Sequence, residues 1–190
     1  MSSEFTALLR RLFADTRAFK EEPISIDVRE IVERELQRRV GDVVSELRGT
    51  SRIVNSVVPP SVAIGDFALV RNSVLTEGCI VGAHAQLNWA FIGAASELPH
   101  MNNVAYSIVG EAVLLGAGTV TSSRRLDGAT PRVALPDGQV LVASRDRFGA
   151  LVGDGCRVGS LVCLNPFTVL GPGARVRPAQ SVSGYIDSYI

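Results

Sequence analysis

The stretch that decides the fold is VGAHAQLNWAFIGAASELPHMNNVAYSIVGEAVLLGAGTVT, residues 81–121. Within it an aliphatic residue returns after six, six and five residues, and the same steps then repeat. One full circuit is therefore seventeen residues, as from Val81 to Leu98. A repeat this short is typical of units that bury a shared core only by stacking on one another. The positions in register are Val81, Leu87, Ile92, Leu98, Val104, Val109 and Leu115.

The repeat continues on both sides of this stretch, through Val58, Ile64, Val70 and Leu75 before it and through Val152, Val158, Leu164, Leu170, Val176 and Val182 after it. Glycine follows many of the aliphatic residues. A six-residue period fits neither a helix nor a long strand, and glycine tolerates the positive φ of tight corners. We therefore predict an all-β domain over residues 53–184 with three short strands per circuit, a triangular parallel β-helix.

The first fifty residues have a different pattern, with apolar residues three and four positions apart. This spacing predicts two helices, over about residues 3–19 and 26–48, separated by Glu21-Glu22-Pro23. Ser25 or Asp27 is a candidate N-cap for the second helix. We expect residues 1–50 to form a helical arm that packs on the solenoid or mediates oligomerisation.

The repeat is interrupted at residues 122–149. Two apolar runs, residues 133–135 and 140–142, flank Pro136-Asp137-Gly138-Gln139, which predicts a β-hairpin. Long loops on compact domains are usually functional or disordered, and here we favour a functional insertion.

Composition excludes several classes of protein. Nineteen basic residues balance nineteen acidic ones, which argues against binding to nucleic acid or a membrane surface. No apolar run is long enough for a membrane span or a signal peptide, so we expect a cytoplasmic protein. Cys79, Cys156 and Cys163 show no paired spacing and are expected to be small core residues. Two histidines are too few for a three-histidine zinc site within one chain, so we expect no metal.

Three segments carry a family resemblance: Leu98-Pro99-His100-Met101-Asn102-Asn103, residues 115–119 (LGAGT) and residues 147–154 (RFGALVGD). With the six-residue repeat they resemble the C-terminal acetyltransferase domain of bifunctional sugar-1-phosphate nucleotidylyltransferase/acetyltransferases, a hexapeptide-repeat acyltransferase family. The resemblance covers about residues 53–184. It extends neither to the N-terminal arm nor to a nucleotidylyltransferase domain.

The resemblance implies a left-handed β-helix that forms a homotrimer with sites between subunits. It implies transfer of an acetyl group from acetyl-CoA to the amine of a sugar phosphate-like acceptor. By position, His100 matches the general base and Ala117 the residue whose backbone N–H faces the thioester oxygen. Gly116, Ala117, Gly118, Ser160 and Arg177 are the implied cofactor-binding residues. Arg71, Asn88, Asn102 and Asn103 are the implied substrate-binding residues.

Register supports this pairing independently of the resemblance. His100 lies two residues after Leu98, as Ala117 does after Leu115, so the two should stack in adjacent coils about 4.8 Å apart. His84, near the same corner, is a weaker candidate for a role in the site. A positioned imidazole suits deprotonation of an amine, and a fixed backbone N–H suits a developing oxyanion. Two interpretations stay open for Arg157, Arg175 and Arg177. They could bind the phosphates of the cofactor, or they could be ordinary solvent-exposed arginines.

Some positions depart from the family pattern, with Asn88 in place of a lysine and Asn103 in place of a tyrosine. Leu114 and Ser123 stand where asparagines are expected. Three functions stay open: an N-acyltransferase with an altered acceptor, a non-catalytic scaffold or regulatory binding protein, and an O-acyltransferase or another reaction in the same cleft.

Overall fold

The computed structural model of the chain describes residues 23–190. The first predicted helix, over residues 3–19, lies outside the described residues. The described chain starts with strand β1 (Ile24–Ile26), helix α1 (Val28–Arg38) and a short 3-10 turn (Val40–Asp42). All the strands of the solenoid follow these elements.

Two sheets build the solenoid. The smaller one has six parallel strands, β4 (Ala63–Ile64), β7 (Ile80–Ala83), β9 (Glu97–His100), β11 (Leu114–Leu115), β16 (Arg157–Val158) and β19 (Arg175–Val176). The larger one has twelve, β2 (Val43–Arg48), β3 (Ser51–Val57), β5 (Leu69–Arg71), β6 (Val74–Leu75), β8 (Gln86–Ile92), β10 (Asn103–Val109), β12 (Val120–Thr121), β15 (Ala150–Val152), β17 (Cys163–Leu164), β18 (Thr168–Leu170), β20 (Ser181–Val182) and β21 (Tyr185–Ile186).

The solenoid has three faces, because the larger sheet bends in the middle of its long strands. We call the smaller sheet the first face. The second face comprises β5, β12, β17, β20 and the N-terminal halves of β3, β8 and β10. The third face comprises β6, β15, β18, β21 and the C-terminal halves of the same long strands.

The predicted register is confirmed. Val81 pairs with Leu98, Leu87 with Val104 and Ile92 with Val109, each one circuit apart. Side chains alternate across a strand, so these residues all point into the prism, where they are almost fully buried. Burial of this aliphatic column drives the stacking of coils, at roughly 25 cal/mol per Å² of apolar surface removed from water. The predicted left-handed parallel β-helix is confirmed.

The glycines that follow the aliphatic residues have a different role from the one expected. Gly65, Gly82 and Gly116 do not have positive φ. A Cβ on Gly82 would lie 1.5 Å from the carbonyl oxygen of Pro99 in the next coil, so these glycines permit close stacking. Most corner residues with positive φ carry side chains, among them His84 at 58° and Met101 at 52°.

The second predicted helix is correct only in its first half. Asp27 is the N-cap, with its Oδ1 accepting hydrogen bonds from the amides of Arg29 and Glu30. The helix ends at Arg38, and residues 43–48 form β2, which pairs antiparallel with β3. The exposed edge of the first coil needs hydrogen-bond partners, and Val43 and Val44 suit a strand as well as a helix. Residues 43–48 are therefore part of the larger sheet and not of a helical arm.

The insertion contains the predicted hairpin, formed by the antiparallel strands β13 (Arg132–Ala134) and β14 (Val140–Ala143). Strand β1, which was not predicted, pairs with β14 in parallel, so the N-terminal segment and the insertion share a three-stranded sheet.

A second apolar core lies outside the prism, on the third face. The outward side chains of this face are apolar, and α1 and the hairpin cover them. The covered residues are Val57, Val74, Phe91, Ile108, Leu151 and Val169. The covering residues include Val28, Val32 and Leu36 of α1 and Val133 and Leu141 of the hairpin.

Two of the three cysteines are core residues as expected. Cys79 and Cys156 are fully buried, and burial raises the pKa of the Cys156 thiol to about 11. The expectation for Cys163 is wrong: it occupies an outward position on β17 and is half-exposed.

Candidate functional site

The candidate site lies where the first face ends and the chain turns toward the second face. Ala83 pairs with His100 in the neighbouring coil, and the amide of Gly118 donates to the carbonyl of His100 at 2.9 Å. In the next coil, the amide of Leu161 donates to the carbonyl of Ala117 at 2.8 Å. Ala83, His100, Ala117 and Ser160 therefore stack in four consecutive coils. The predicted adjacency of His100 and Ala117 is confirmed.

The Ala117 N–H is available to a ligand. Among residues 23–190 it donates no hydrogen bond, whereas the flanking amides of Gly116 and Gly118 donate to Val158 and His100. Ala117 is half-buried, and the His100 side chain at the end of β9 is exposed. A backbone donor without a protein acceptor thus lies one coil from an accessible imidazole.

Asn102 fixes the peptide that carries this donor. It is almost fully buried, and its Nδ2 donates to the carbonyl oxygens of Leu115 at 3.2 Å and Gly116 at 2.8 Å. The Gly116 carbonyl and the Ala117 N–H belong to one peptide plane, so this hydrogen bond restrains the direction of the N–H. Asn102, predicted to bind substrate, faces inward with about 1% of its surface exposed, and a substrate-binding role for it stays a prediction.

Three predicted substrate-binding residues lie on the second face. Arg71 and Asn88 pair in adjacent coils, with Arg71 exposed and Asn88 half-exposed. Asn103, also exposed, pairs with Gln86 and Val120 nearer the His100 corner. The structure thus places all three on one side of the solenoid, on the face that starts beside His100.

The predicted cofactor-binding residues lie around Ala117 and toward the C-terminal coils. Gly116 has no room for a side chain, because a Cβ would lie 2.5 Å from the amide nitrogen of Ser160. Gly118 adopts a φ of 71° at the corner. Ser160 is exposed one coil beyond Ala117, and the guanidinium of Arg177 in the next coil lies 4.8 Å above the ring of Tyr189.

His84 does not stack with His100. It lies one coil earlier and one position further along the repeat, at the corner position that Met101 occupies in the coil of His100. Its ring lies parallel to that of Phe67, with centroids 5.1 Å apart. This contact gives His84 a packing role.

A ridge of exposed apolar side chains runs along the same corner and was missed in the sequence. It consists of Phe67, Met101 and Leu161, each between 59% and 68% exposed. All three follow an aliphatic core residue by three positions, which is the corner position of the repeat. We call them the corner ridge.

No family model matches the chain. It is 30% identical over 111 residues to a bifunctional sugar-1-phosphate nucleotidylyltransferase/acetyltransferase of Sulfurisphaera tokodaii, covering 58% of this chain and 27% of the relative. It is 33% identical over 109 residues to the bifunctional protein GlmU of Methanococcus vannielii, covering 57% and 26%.

These matches confirm the resemblance predicted from the sequence. The chain spans about a quarter of the length of these curated relatives. Among solved structures, a GDP-perosamine N-acetyl transferase mutant of Caulobacter crescentus in complex with CoA and GDP-perosamine is similar with a TM-score of 0.45. It is 20% identical, with 85% of this chain and 60% of that chain covered.

No helix among residues 23–190 is both long enough and apolar enough to cross a bilayer.

Proposed function

We propose that the chain is a CoA-dependent acyltransferase that moves an acetyl group from acetyl-CoA to the amine of a small, sugar phosphate-like acceptor. The observation that carries the proposal is the unpaired Ala117 N–H one coil from the exposed His100. The names of the curated relatives, which include acetyltransferases, support the same reaction class.

His100 is the general base of this reaction. An amine at neutral pH is mostly ammonium and cannot attack a thioester until it loses a proton. An imidazole is the side chain used most often for such a proton transfer. The proton goes from the acceptor ammonium to a ring nitrogen of His100, and the freed lone pair then bonds to the acyl carbon; the nitrogen loses its second proton as the intermediate collapses.

The Ala117 N–H stabilises the tetrahedral intermediate. Negative charge moves to the thioester oxygen, and a fixed donor without another acceptor stabilises it, with loss of one such donor typically costing roughly 3–4 kcal/mol. The intermediate then collapses as the bond between the acyl carbon and the CoA sulfur breaks, and the expelled CoA thiolate takes up the proton that leaves the nitrogen. Asn102 contributes as a positioning residue because it holds the peptide plane of Ala117.

Acetyl-CoA extends from Ala117 toward the C-terminal coils in this proposal. Ser160 lies next in the stack. Beside it on the first face, Arg157 and Arg175 occupy paired backbone positions of the neighbouring strands β16 and β19. Together with Arg177 they supply positive charge for the phosphates of the cofactor. The acceptor lies on the second face, near Asn103, Asn88 and Arg71.

The active form in this proposal is a homotrimer with sites between subunits. The corner ridge supports it, because large exposed apolar side chains beside a site are typical of an interface. The third face is already covered by α1 and the hairpin, which leaves the ridge and the other two faces for contact. Location in the cytoplasm stays a prediction of the sequence.

Calorimetric titration with acetyl-CoA, followed by an amine screen, tests the proposal. CoA release is measured by chromatography, since the half-exposed Cys163 would react with thiol reagents. We expect binding, and we expect His100→Ala to abolish CoA release while leaving the fold intact. His84→Asn, an exposed histidine one coil away, is the matched control and should retain release.

Failure of acetyl-CoA to bind the purified protein would contradict the proposal and favour a non-catalytic scaffold. Turnover with hydroxyl compounds but not with amines would favour an O-acyltransferase.

A further inference from the structure

A small cavity lies where the N-terminal segment, the insertion and the bend between the second and third faces meet. Its volume is about 70 Å³, and it is lined by Asp27, Arg29, Tyr106, Arg145, Asp146 and Arg147. None of these residues belongs to the candidate acetyl-transfer site. The second face separates the cavity from the His100 corner, because Tyr106 lies five residues, or roughly 15 Å of strand, beyond Met101.

Two of the arginines lie on aromatic rings. The guanidinium of Arg29 is 4.5 Å from the centre of the Trp89 ring, and that of Arg147 is 5.4 Å from the centre of the Tyr106 ring. Trp89 and Tyr106 occupy equivalent corner positions in adjacent coils, both with positive φ. Contact with a ring face fixes the plane of a guanidinium and leaves its N–H groups directed sideways for hydrogen bonding.

The two carboxylates of the cavity are already paired. Arg145 Nε donates to Asp27 Oδ2 at 2.7 Å, and Arg124 donates to Asp146. Burial would raise the pKa of Asp27, but hydrogen bonds from Arg145 and from the amide of Glu30 hold the pKa below its ordinary value. Both carboxylates are therefore ionised and neutralised by their own arginine partners.

Arg29 and Arg147 lack comparable partners. Arg147 makes no ion pair with any carboxylate of residues 23–190, although its charge helps to lower the pKa of Asp146, and Arg29 has only Glu33 at 3.9 Å. The Nε of Arg29 is buried without a hydrogen-bond partner in that part of the chain, whereas 38% of the side-chain surface is exposed. The exposed part of the guanidinium can therefore offer N–H groups to an external acceptor.

The walls of the cavity are held in place before any ligand arrives. The pairing of β1 with β14 joins the segment before Arg29 to the segment before Arg147. The amide of Ser144 also donates to the carbonyl of Ile26 at 3.0 Å. Such preorganisation lowers the entropic cost of binding.

We propose that this cavity binds a phosphate group through Arg29 and Arg147. Planar guanidinium groups bind phosphate oxygens through paired N–H donors, and the two ring-mounted arginines offer such donors from separate elements. The phosphate belongs either to the acceptor or to a separate phosphorylated effector. The binding site itself does not depend on the proposed acetyl transfer.

Titration of the full chain with inorganic pyrophosphate tests the site. Trp89 is the only tryptophan of the chain, so its emission reports on the Arg29 contact. We expect a saturable change in emission, matched by calorimetry. Arg147→Ala should weaken binding at least about tenfold, since hydrogen bonds to a charged group contribute roughly 1.5–3 kcal/mol.

Arg132→Ala is the matched control, because Arg132 is an exposed arginine of the same insertion outside the cavity. Arg147→Lys is the conservative variant, which keeps the charge and loses the paired donors, and it should also bind more weakly. Circular dichroism verifies that each variant is folded. Absence of saturable binding, unchanged binding in Arg147→Ala, or an equal loss in Arg132→Ala would overturn the proposal.

A second arm distinguishes the two sources of phosphate. If the acceptor supplies it, pyrophosphate competes with a phosphorylated amino-sugar acceptor in the CoA-release assay, and Arg147→Ala raises the KM for that acceptor. If a separate effector supplies it, pyrophosphate changes kcat without such competition. Both results support the cavity as a phosphate site. The binding titration needs no acetyl-CoA, so its outcome stands even if acetyl transfer fails.

Discussion

At the scale of single residues, the candidate site depends on the buried side-chain amide of Asn102. Asn102 occupies the inward position that Ala85 and Thr119 occupy in the neighbouring coils. Its side-chain amide donates to the carbonyl oxygens of Leu115 and Gly116, just before the Ala117 N–H. The sequence places two asparagines shortly after His100, but only the structure shows that Asn102 is buried and Asn103 exposed.

Asn102→Ala should lower the free energy of unfolding by about 1–3 kcal/mol, because buried carbonyls lose a donor. It should also lower kcat more than it raises the KM for acetyl-CoA, because the restraint acts on the oxyanion donor. Urea unfolding and steady-state kinetics measure the two effects. An unchanged kcat in a destabilised protein would leave Asn102 with a purely structural role.

Gly82→Ala should be strongly destabilising. The new Cβ would meet the Pro99 carbonyl oxygen at 1.5 Å, and overpacking of this kind typically costs about 1–3 kcal/mol or more. Gly41→Ala is the matched control, since nothing lies within 4 Å of its Cβ position. Thermal unfolding of the two variants compares them, and equal melting temperatures would contradict the stacking role of Gly82.

At the scale of elements, α1 and the insertion act together to cover the third face. The sequence contains the signal for this cover, because each third-face strand carries two consecutive apolar residues, as in Phe91-Ile92 and Ile108-Val109. One member of each pair faces the prism and the other faces α1 or the hairpin. The six-residue repeat alone accounts only for the inward member.

The end of the second predicted helix could not be located from periodicity. Val40, Val43 and Val44 fit a helical stripe, yet they lie in a turn and a strand. Tertiary pairing with β3 overrides the local helix propensity of these residues. The helical spacing of the valines carries no information about this pairing. The hairpin of the insertion was predictable because its turn residues are local.

Leu141→Ala should reduce stability by about 2–5 kcal/mol, because Leu141 of the hairpin is fully buried in the second apolar core. Leu126→Ala in the same insertion should have almost no effect, since Leu126 is fully exposed. Chemical denaturation measures both. Similar losses in the two variants would contradict the packing of the hairpin described here.

Asp27 couples α1 to the insertion in a pH-dependent way. Because the folded pKa is lowered, the ionised carboxylate contributes stability above its unfolded pKa near 3.8, and the contribution is lost as the pH falls through the folded pKa. Asp27→Asn keeps a capping oxygen but loses the charge that pairs with Arg145. The stability difference between wild type and Asp27→Asn, measured by urea unfolding, should therefore shrink below pH 4. A stability difference between the two proteins that stays constant across this pH range would contradict a pH-dependent role for Asp27.

At the scale of the whole molecule, the covered third face and the uncovered corner ridge determine which surfaces are left for assembly. The sequence predicts the solenoid because the aliphatic residues buried inside it must recur at a regular spacing. From the residues alone, it predicts the candidate site only because that spacing stacks His100 on Ala117. The cavity at Arg29 and Arg147 was unpredictable, because it combines residues 118 positions apart through the β1–β14 pairing.

Met101→Glu should dissociate the proposed trimer, because it places a charge in the middle of the corner ridge. Val40→Glu, at a position 76% exposed and outside the ridge, should leave the oligomeric state unchanged. Light scattering coupled to size exclusion determines the mass of each variant. A wild-type monomer, or a trimeric Met101→Glu variant, would contradict the role of the ridge.

A crystal structure of the protein in complex with acetyl-CoA would show whether Ala117 and His100 act on the thioester. We predict that the thioester oxygen lies within hydrogen-bond distance of the Ala117 amide nitrogen, with the His100 imidazole facing the acyl carbon. Acetyl-CoA bound elsewhere, or an Ala117 N–H directed away from the thioester, would contradict it.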